Sequence, residues 1–183
     1  MKKYLAEFIG TFVLVTMGCG TAMLVGCDAA AGSGYLLTAL AFGLSIVAMA
    51  YSIGNISGCH VNPAVSLAVF MRGGLDAKDL VGYIVSQVLG ALAGALMLSC
   101  IFGLGGVTDM TGGLGTNGLA GVNGNAIAGL LVEIVLTFIF LLTILGVTSE
   151  KFKHGSFAGL VIGATLTFVH ILGIGLTGTS VNP

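Results

Sequence analysis

Five apolar stretches, near 4–25, 35–54, 80–102, 126–147 and 157–176, leave this chain little choice of solvent. Each is long enough to cross about 30 Å of hydrocarbon as a helix of roughly 20 residues. Of 183 residues, Lys and Arg number only 6 and Asp and Glu only 7, so 7% are charged against roughly 25% in soluble domains. A soluble surface cannot be covered with so little charge, and a disordered chain does not carry 56% hydrophobic residues. A net charge of −1 also gives no footprint for nucleic acid. The expected fold is an all-α membrane bundle, one transmembrane domain over 1–183. Cys19, Cys27, Cys59 and Cys100 show neither CxxC pairing nor zinc spacing, and no disulfide framework, metal or cofactor is expected. Lys2 and Lys3 before an apolar run resemble a secretory signal, and Met17-Gly18-Cys19 a lipoprotein cleavage site. Thr16 fits that site poorly, and cleavage would leave four spans unexplained, so the first run is taken as a retained span.

Basic residues in short loops favour the cytoplasm. Lys2 and Lys3 precede the first span, Arg72 and Lys78 follow the second, and Lys151 and Lys153 follow the fourth. The connections near 26–34 and 103–125 carry Asp28 and Asp109 but no Lys or Arg. A multi-pass protein of the cell (inner) membrane with a cytoplasmic N-terminus is expected. Between the second and third spans, Gly58-Cys59-His60-Val61-Asn62-Pro63-Ala64-Val65-Ser66 is too apolar for a cytoplasmic loop. Asn62 is a favourable N-cap and Pro63 suits the first helical position, where its missing N–H costs nothing. The helix then has about ten residues, half a membrane thickness at about 1.5 Å per residue. A re-entrant half-helix over 62–71 is predicted, and its entry loop must be buried in protein or line a wet cavity.

The chain repeats itself. Glu7, Thr11 and Phe12 recur as Glu133, Thr137 and Phe138, and Gly43, Gly58, Val61, Asn62 and Pro63 recur as Gly163, Gly178, Val181, Asn182 and Pro183. Three spans separate the starts of the two copies, so the second is inverted. The first repeat covers 1–103 (three spans plus the half-helix), and an incomplete second covers 126–183. Inversion lets the two Asn-Pro turns meet near the midplane. Small residues at fours (Gly82, Ser86, Gly90, Gly94; Gly155, Gly159, Gly163) predict close helix packing.

Duplicated Asn-Pro-Ala turns on inverted repeats, each half beginning with Glu, resemble the aquaporin (major intrinsic protein) family. Ser57 to Val65 is close to the first signature, and Thr177-Gly178-Thr179-Ser180-Val181-Asn182-Pro183 is similar to the second up to its proline. The sequence is most similar to the bacterial water-selective, aquaporin Z-like branch. Members of the family continue with Ala, Arg, a second half-helix and a sixth span. The chain therefore reads as a member truncated at its second motif, with five full spans present. The resemblance implies a homotetramer with a pore in each protomer and passive, osmotically driven water flow. It places the selectivity constriction at Phe42, His170 and Thr179, and pore-lining loop backbone at Gly58, Cys59, His60, Gly178 and Ser180.

Two half-helix N-termini facing each other in the bilayer present a positive potential that repels cations and protons. The amides of Asn62 and Asn182, flanked by Pro63, Ala64 and Pro183, are expected to donate to a passing water while their oxygens cap the helices. A lone His on an apolar helix is often a satisfied core residue; His170, twelve residues before Asn182, instead matches the water-selective pattern. Glu7 and Glu133 are the only acids within the spans, and support of the re-entrant loops is favoured over a proton relay. His60 could line the path or brace the loop. Cys59, three residues before Asn62, is expected to be the site of mercurial block.

Other readings stay open: a facilitator for glycerol or other small neutral solutes, a secondary transporter built on the same inverted repeats, or a non-conducting truncated subunit. Two motifs are set aside. Gly113 to Gly118 fits GxGxxG but follows no strand, and Asn55-Ile56-Ser57 fits a glycosylation sequon on the cytoplasmic or buried side.

Overall fold

The computed structural model describes residues 1–27, 33–149, 151 and 155–183. Among these, every regular element is helical: α1 (Lys2–Val25), α2 (Ser33–Ser57), α3 (Pro63–Met71), α4 (Ala77–Gly105), α5 (Ala126–Val147) and α6 (Ala158–Thr177), with short 3₁₀ turns at Ala120–Val122 and Gly155–Phe157. Five are long and apolar enough to span a membrane. The α5 limits coincide with the apolar run in the sequence. The other four spans run one to three residues further at most ends, because capping residues rather than hydropathy set the boundaries. Asp76 accepts from the Asp79 N–H at 2.7 Å to start α4, and Asn125 accepts from Ile127 and Ala128 to start α5. Gly26, at φ +74°, ends α1. Asp28 and Lys153, both used in the orientation argument, lie outside the described residues.

α1 packs against α2 and α4, α2 against α6, and α5 against α6, while α3 sits between α4 and α5. Lipid supplies no hydrophobic drive between helices, so close backbone approach has to supply contact. Gly43 of α2 and Gly163 of α6 meet so closely that a Cβ on either would lie 2.5 Å from the other's carbonyl oxygen. Gly90 of α4 is pressed likewise against the Phe8 carbonyl of α1. Polar contacts tie several helix ends to their neighbours. Lys3 pairs with Asp79, whose other oxygen accepts from Tyr4 at 2.7 Å. Arg72 donates to the Thr148 hydroxyl and to the Leu145 carbonyl at the end of α5, and Tyr51 of α2 donates to the Ser156 carbonyl. The apolar core lies between these layers, and Val61, Val65, Val169, Val181 and Leu136 are among its most buried members.

Candidate functional site

Two short non-helical loops enter this core, one from the end of α2 and one from the end of α6. Their backbones match position for position. Gly58, Cys59 and Val61 have φ of +87°, +52° and +45°; Gly178, Thr179 and Val181 have +84°, +58° and +43°. Glycine adopts this region freely, but a β-branched valine there is strained, and such strain persists only where surroundings enforce it. A carboxylate enforces each loop, that of Glu7 fully buried and that of Glu133 half-buried. Glu7 accepts from the Ser57 hydroxyl (2.6 Å) and His60 N–H (2.9 Å) on one oxygen. Its other oxygen accepts from Val61 N–H (2.6 Å) and the Gln87 amide (2.7 Å). Glu133 accepts from the Thr177 hydroxyl (2.6 Å), Ser180 N–H (3.0 Å) and Val181 N–H (2.8 Å). Three donors in each set are exact sequence counterparts 120 residues apart.

The two turns meet. Asn62 caps α3, its Oδ1 accepting from Ala64 and Val65 N–H at 2.7 and 3.3 Å. Its Nδ2 donates to the Val181 carbonyl at 2.7 Å, and Asn182 Nδ2 donates to the Val61 carbonyl at 3.0 Å. Each carboxamide carries two N–H donors, so one stitches the loops together and one is left over. The sequence expectation that the amides serve a passing molecule thus applies to half of each amide's donors. Pro63, at the first helical position, has no N–H to leave unsatisfied, and the N-terminus of α3 ends at this seam.

A cavity of about 630 Å³ runs beside the seam, lined by Asn62, Pro63, Asn182 and Pro183 and, further on, by Phe42, His170 and Thr179. The Phe42 and His170 rings stack with centroids 4.6 Å apart and 26° between planes. His170 is 1% exposed, and its Nδ1 lies 2.8 Å from the Leu166 carbonyl. A carbonyl only accepts, so in the neutral ring the proton sits on Nδ1 and Nε2 keeps a bare lone pair. His170 therefore keeps an acceptor in reserve at the cavity it lines. Its Nε2 and the Thr179 hydroxyl oxygen are both buried without a protein partner. Leaving such a group unpaired costs about 1–3 kcal/mol, a penalty that water in a polar passage removes.

His60, Gly178 and Ser180 also line this cavity, whereas Gly58 and Cys59 do not. Cys59 packs against the apolar cluster that includes Val61 and Val65. Ala64 faces a second cavity of about 570 Å³, shared with Glu133 and Pro183. His60 lines the cavity, with Nδ1 3.1 Å from the hydroxyl of Ser66 in α3. Cys19 and Cys27, unmarked by sequence reasoning, line the cavity with Thr38 and Met110. Sequence reasoning also missed Tyr83, which donates to the Ser57 carbonyl at 2.6 Å, and Gln87, whose amide bridges Glu7 and Ser66. A signal was available: both lie on the stripe of α4 that continues through Gly90 and Gly94, and polar residues on an inward-facing membrane stripe need partners.

The sequence profile of the major intrinsic protein family matches residues 1–183. The chain is 48% identical to Aquaporin Z of Brucella melitensis biotype 1, over all of this chain and 81% of the relative. It is 44% identical to Aquaporin Z of Rhodopseudomonas palustris and 42% identical to that of Bradyrhizobium diazoefficiens, over all of this chain and 77% of each relative. Among solved structures, the aquaglyceroporin from Plasmodium falciparum superposes with a TM-score of 0.87 at 26% identity, covering all of this chain and 76% of that one.

Proposed function

This chain belongs to the major intrinsic protein family, a family of membrane channels and not of enzymes, and from that premise we propose that it forms a passive water pore that excludes ions and protons and follows osmotic gradients. The observation that carries this reading is the seam: two inverted loops joined by Asn62 and Asn182 beside a cavity that is also lined by the stacked rings of Phe42 and His170. Water moving along this cavity meets one free N–H from each asparagine and then the Nε2 acceptor of His170 and the Thr179 hydroxyl. The positive end of the α3 dipole at the seam opposes cations. A water that accepts from both asparagines cannot keep its neighbours aligned for proton relay, and the dipole field adds the larger barrier. Glu7 and Glu133 act as loop supports: each carboxylate is already engaged by the loop it holds, which leaves a proton relay or coupled-ion site little free lone-pair capacity.

The aquaglyceroporin likeness supports a second reading, a facilitator of small neutral solutes. Phe42 stacked on His170 weighs against it, because an aromatic pair at the narrow level leaves little room for a polyol. The proposed setting is a homotetramer in the cell (inner) membrane with repeats over 1–103 and 126–183. The helix ends bearing Lys2, Lys3, Arg72, Lys78 and Lys151 face the cytoplasm by the positive-inside rule. Stopped-flow light scattering of proteoliposomes tests the assignment. Water flow well above protein-free vesicles with little glycerol entry is expected. Glycerol entry matching water flow would favour the facilitator, and background rates for both would mean a non-conducting subunit.

A further inference from the structure

The glycine-rich outer segment between α4 and α5 is bound to the bundle rather than draped over it. Met110 N–H donates to the Met23 carbonyl of α1 at 2.9 Å, and Gly118 N–H donates to the Thr177 carbonyl of α6 at 3.0 Å. Between them Asp109 shapes the turn, accepting from Thr111 N–H and hydroxyl and from Leu114 N–H. Burial is the largest single influence and pushes the Asp109 carboxyl upward, but the hydrogen bonds together prevail and hold it below the usual carboxylate range. Gly121 lies so close to α6 that a Cβ there would come within 2.0 Å of the Gly175 carbonyl oxygen. Asn117 is thereby fixed directly over the second re-entrant loop, and a Cβ on Gly178 would meet Asn117 Cα at 3.2 Å. One amide orientation lets Asn117 Nδ2 donate to the Thr177 carbonyl at 3.3 Å. The opposite one, which answers two backbone N–H groups instead of one carbonyl, turns Oδ1 toward the loop, where it accepts from Thr179 N–H at 3.2 Å and shares the Ser180 N–H, at 3.0 Å, with Glu133.

Thr179 sits at φ +58° and lines the cavity, its buried hydroxyl set beside Gly173 of α6, and apart from Asn117 its N–H meets only the Thr177 hydroxyl at 3.3 Å. Cys59, its counterpart in the first loop, has the matching Ser57 contact at 3.1 Å and, among the described residues, no outer-segment amide above it. The added clamp therefore falls on the loop that contributes a side chain to the narrow level. We propose that Asn117 is a specificity-determining positioning residue: by accepting from Thr179 and Ser180 it fixes the backbone that sets how wide the constriction opens opposite Phe42 and His170. Rigid placement matters because water and a three-carbon polyol differ in width by little more than a side-chain displacement. This inference rests on the water-pore reading above.

The test compares the wild-type chain with Asn117→Ala and Asn117→Asp in proteoliposomes, reading glycerol and water permeability together with amide hydrogen exchange over 177–183. Asn117→Ala is expected to raise the glycerol-to-water ratio several-fold and to accelerate Thr179 and Ser180 exchange about tenfold, equivalent to ~1.4 kcal/mol. Asn117→Asp keeps the acceptor and is expected to restore both readouts toward wild type. Faster exchange with an unchanged ratio would overturn the specificity role, and unchanged exchange would overturn the clamp itself. If the wild-type chain passes no water, the pore reading fails on its own and the exchange arm still decides whether Asn117 holds the loop.

Discussion

The loop at 57–62 and the loop at 177–182 share backbone angles, a supporting glutamate and reciprocal asparagine bonds, yet they are secured differently. The first is held from within the bundle. Gln87 gives Glu7 a fourth hydrogen bond and ties it to Ser66 of the half-helix, and Tyr83 takes the Ser57 carbonyl. In the second loop Glu133 accepts from three donors, and the extra support comes from Asn117 of the outer segment. Equal backbones with unequal fastening imply a division of labour. The first loop is anchored within the bundle, and on the proposed reading the second carries Thr179 toward the cavity and takes its position from the segment between α4 and α5.

That division can be broken most forcefully at the glutamates. Glu7→Ala leaves four donors unpaired around strained backbone, and we expect it to lower stability by about 4–5 kcal/mol, at the upper end for a single substitution. Glu133→Ala should cost about 3 kcal/mol on the same reasoning. Denaturant titration in mixed micelles measures both, and equal losses would erase the distinction between the loops. At the seam, Asn62→Ala removes a helix cap and a cross-loop bond, an expected loss of about 2 kcal/mol, whereas Asn182→Ala removes the cross-loop bond at a cost of about 1 kcal/mol.

Gln87→Leu sharpens the contrast further by giving Glu7 the three-donor pattern of Glu133. A loss of about 1 kcal/mol is expected, with faster amide exchange at His60 and Val61 and no change at Ser180 and Val181. A change confined to the second loop would reverse the assignment of Gln87. The smallest effect is expected at Cys59, whose thiol packs on the apolar cluster. Water flow should be nearly unchanged in Cys59→Ser, and mercurial block should survive there and disappear when Cys19 and Cys27 are both replaced by Ser. Loss of the block in Cys59→Ser alone would return that thiol to the water path.

Helices were legible in the sequence because lipid removes alternatives: an apolar run of about 20 residues must satisfy its own backbone, so hydropathy alone locates a span. The half-helix was legible through Asn62 and Pro63, which mark an N-terminus by local chemistry, and the seam through the repeat that duplicates them. Three things were not legible. Gln87 and Tyr83 lie in an ordinary-looking span, and their meaning depends on which helix face turns inward. Asn117 lies in a glycine-rich segment whose path is set by tertiary contact with α6 and by no local period. The free nitrogen of His170 depends on where the Leu166 carbonyl points, which side-chain identity does not reveal. The packing of Cys59 on the apolar cluster was hidden for a related reason, since proximity to Asn62 in sequence says nothing about which side of the loop a thiol occupies.

Simultaneous recording of volume change and internal pH in proteoliposomes exposed to an osmotic step across a standing pH gradient tests the seam most directly. If the paired asparagine amides and the end of α3 bind water and bar charge, vesicles shrink at protein-dependent rates while the pH gradient decays no faster than in protein-free vesicles. Rapid collapse of that gradient alongside shrinkage would contradict the account.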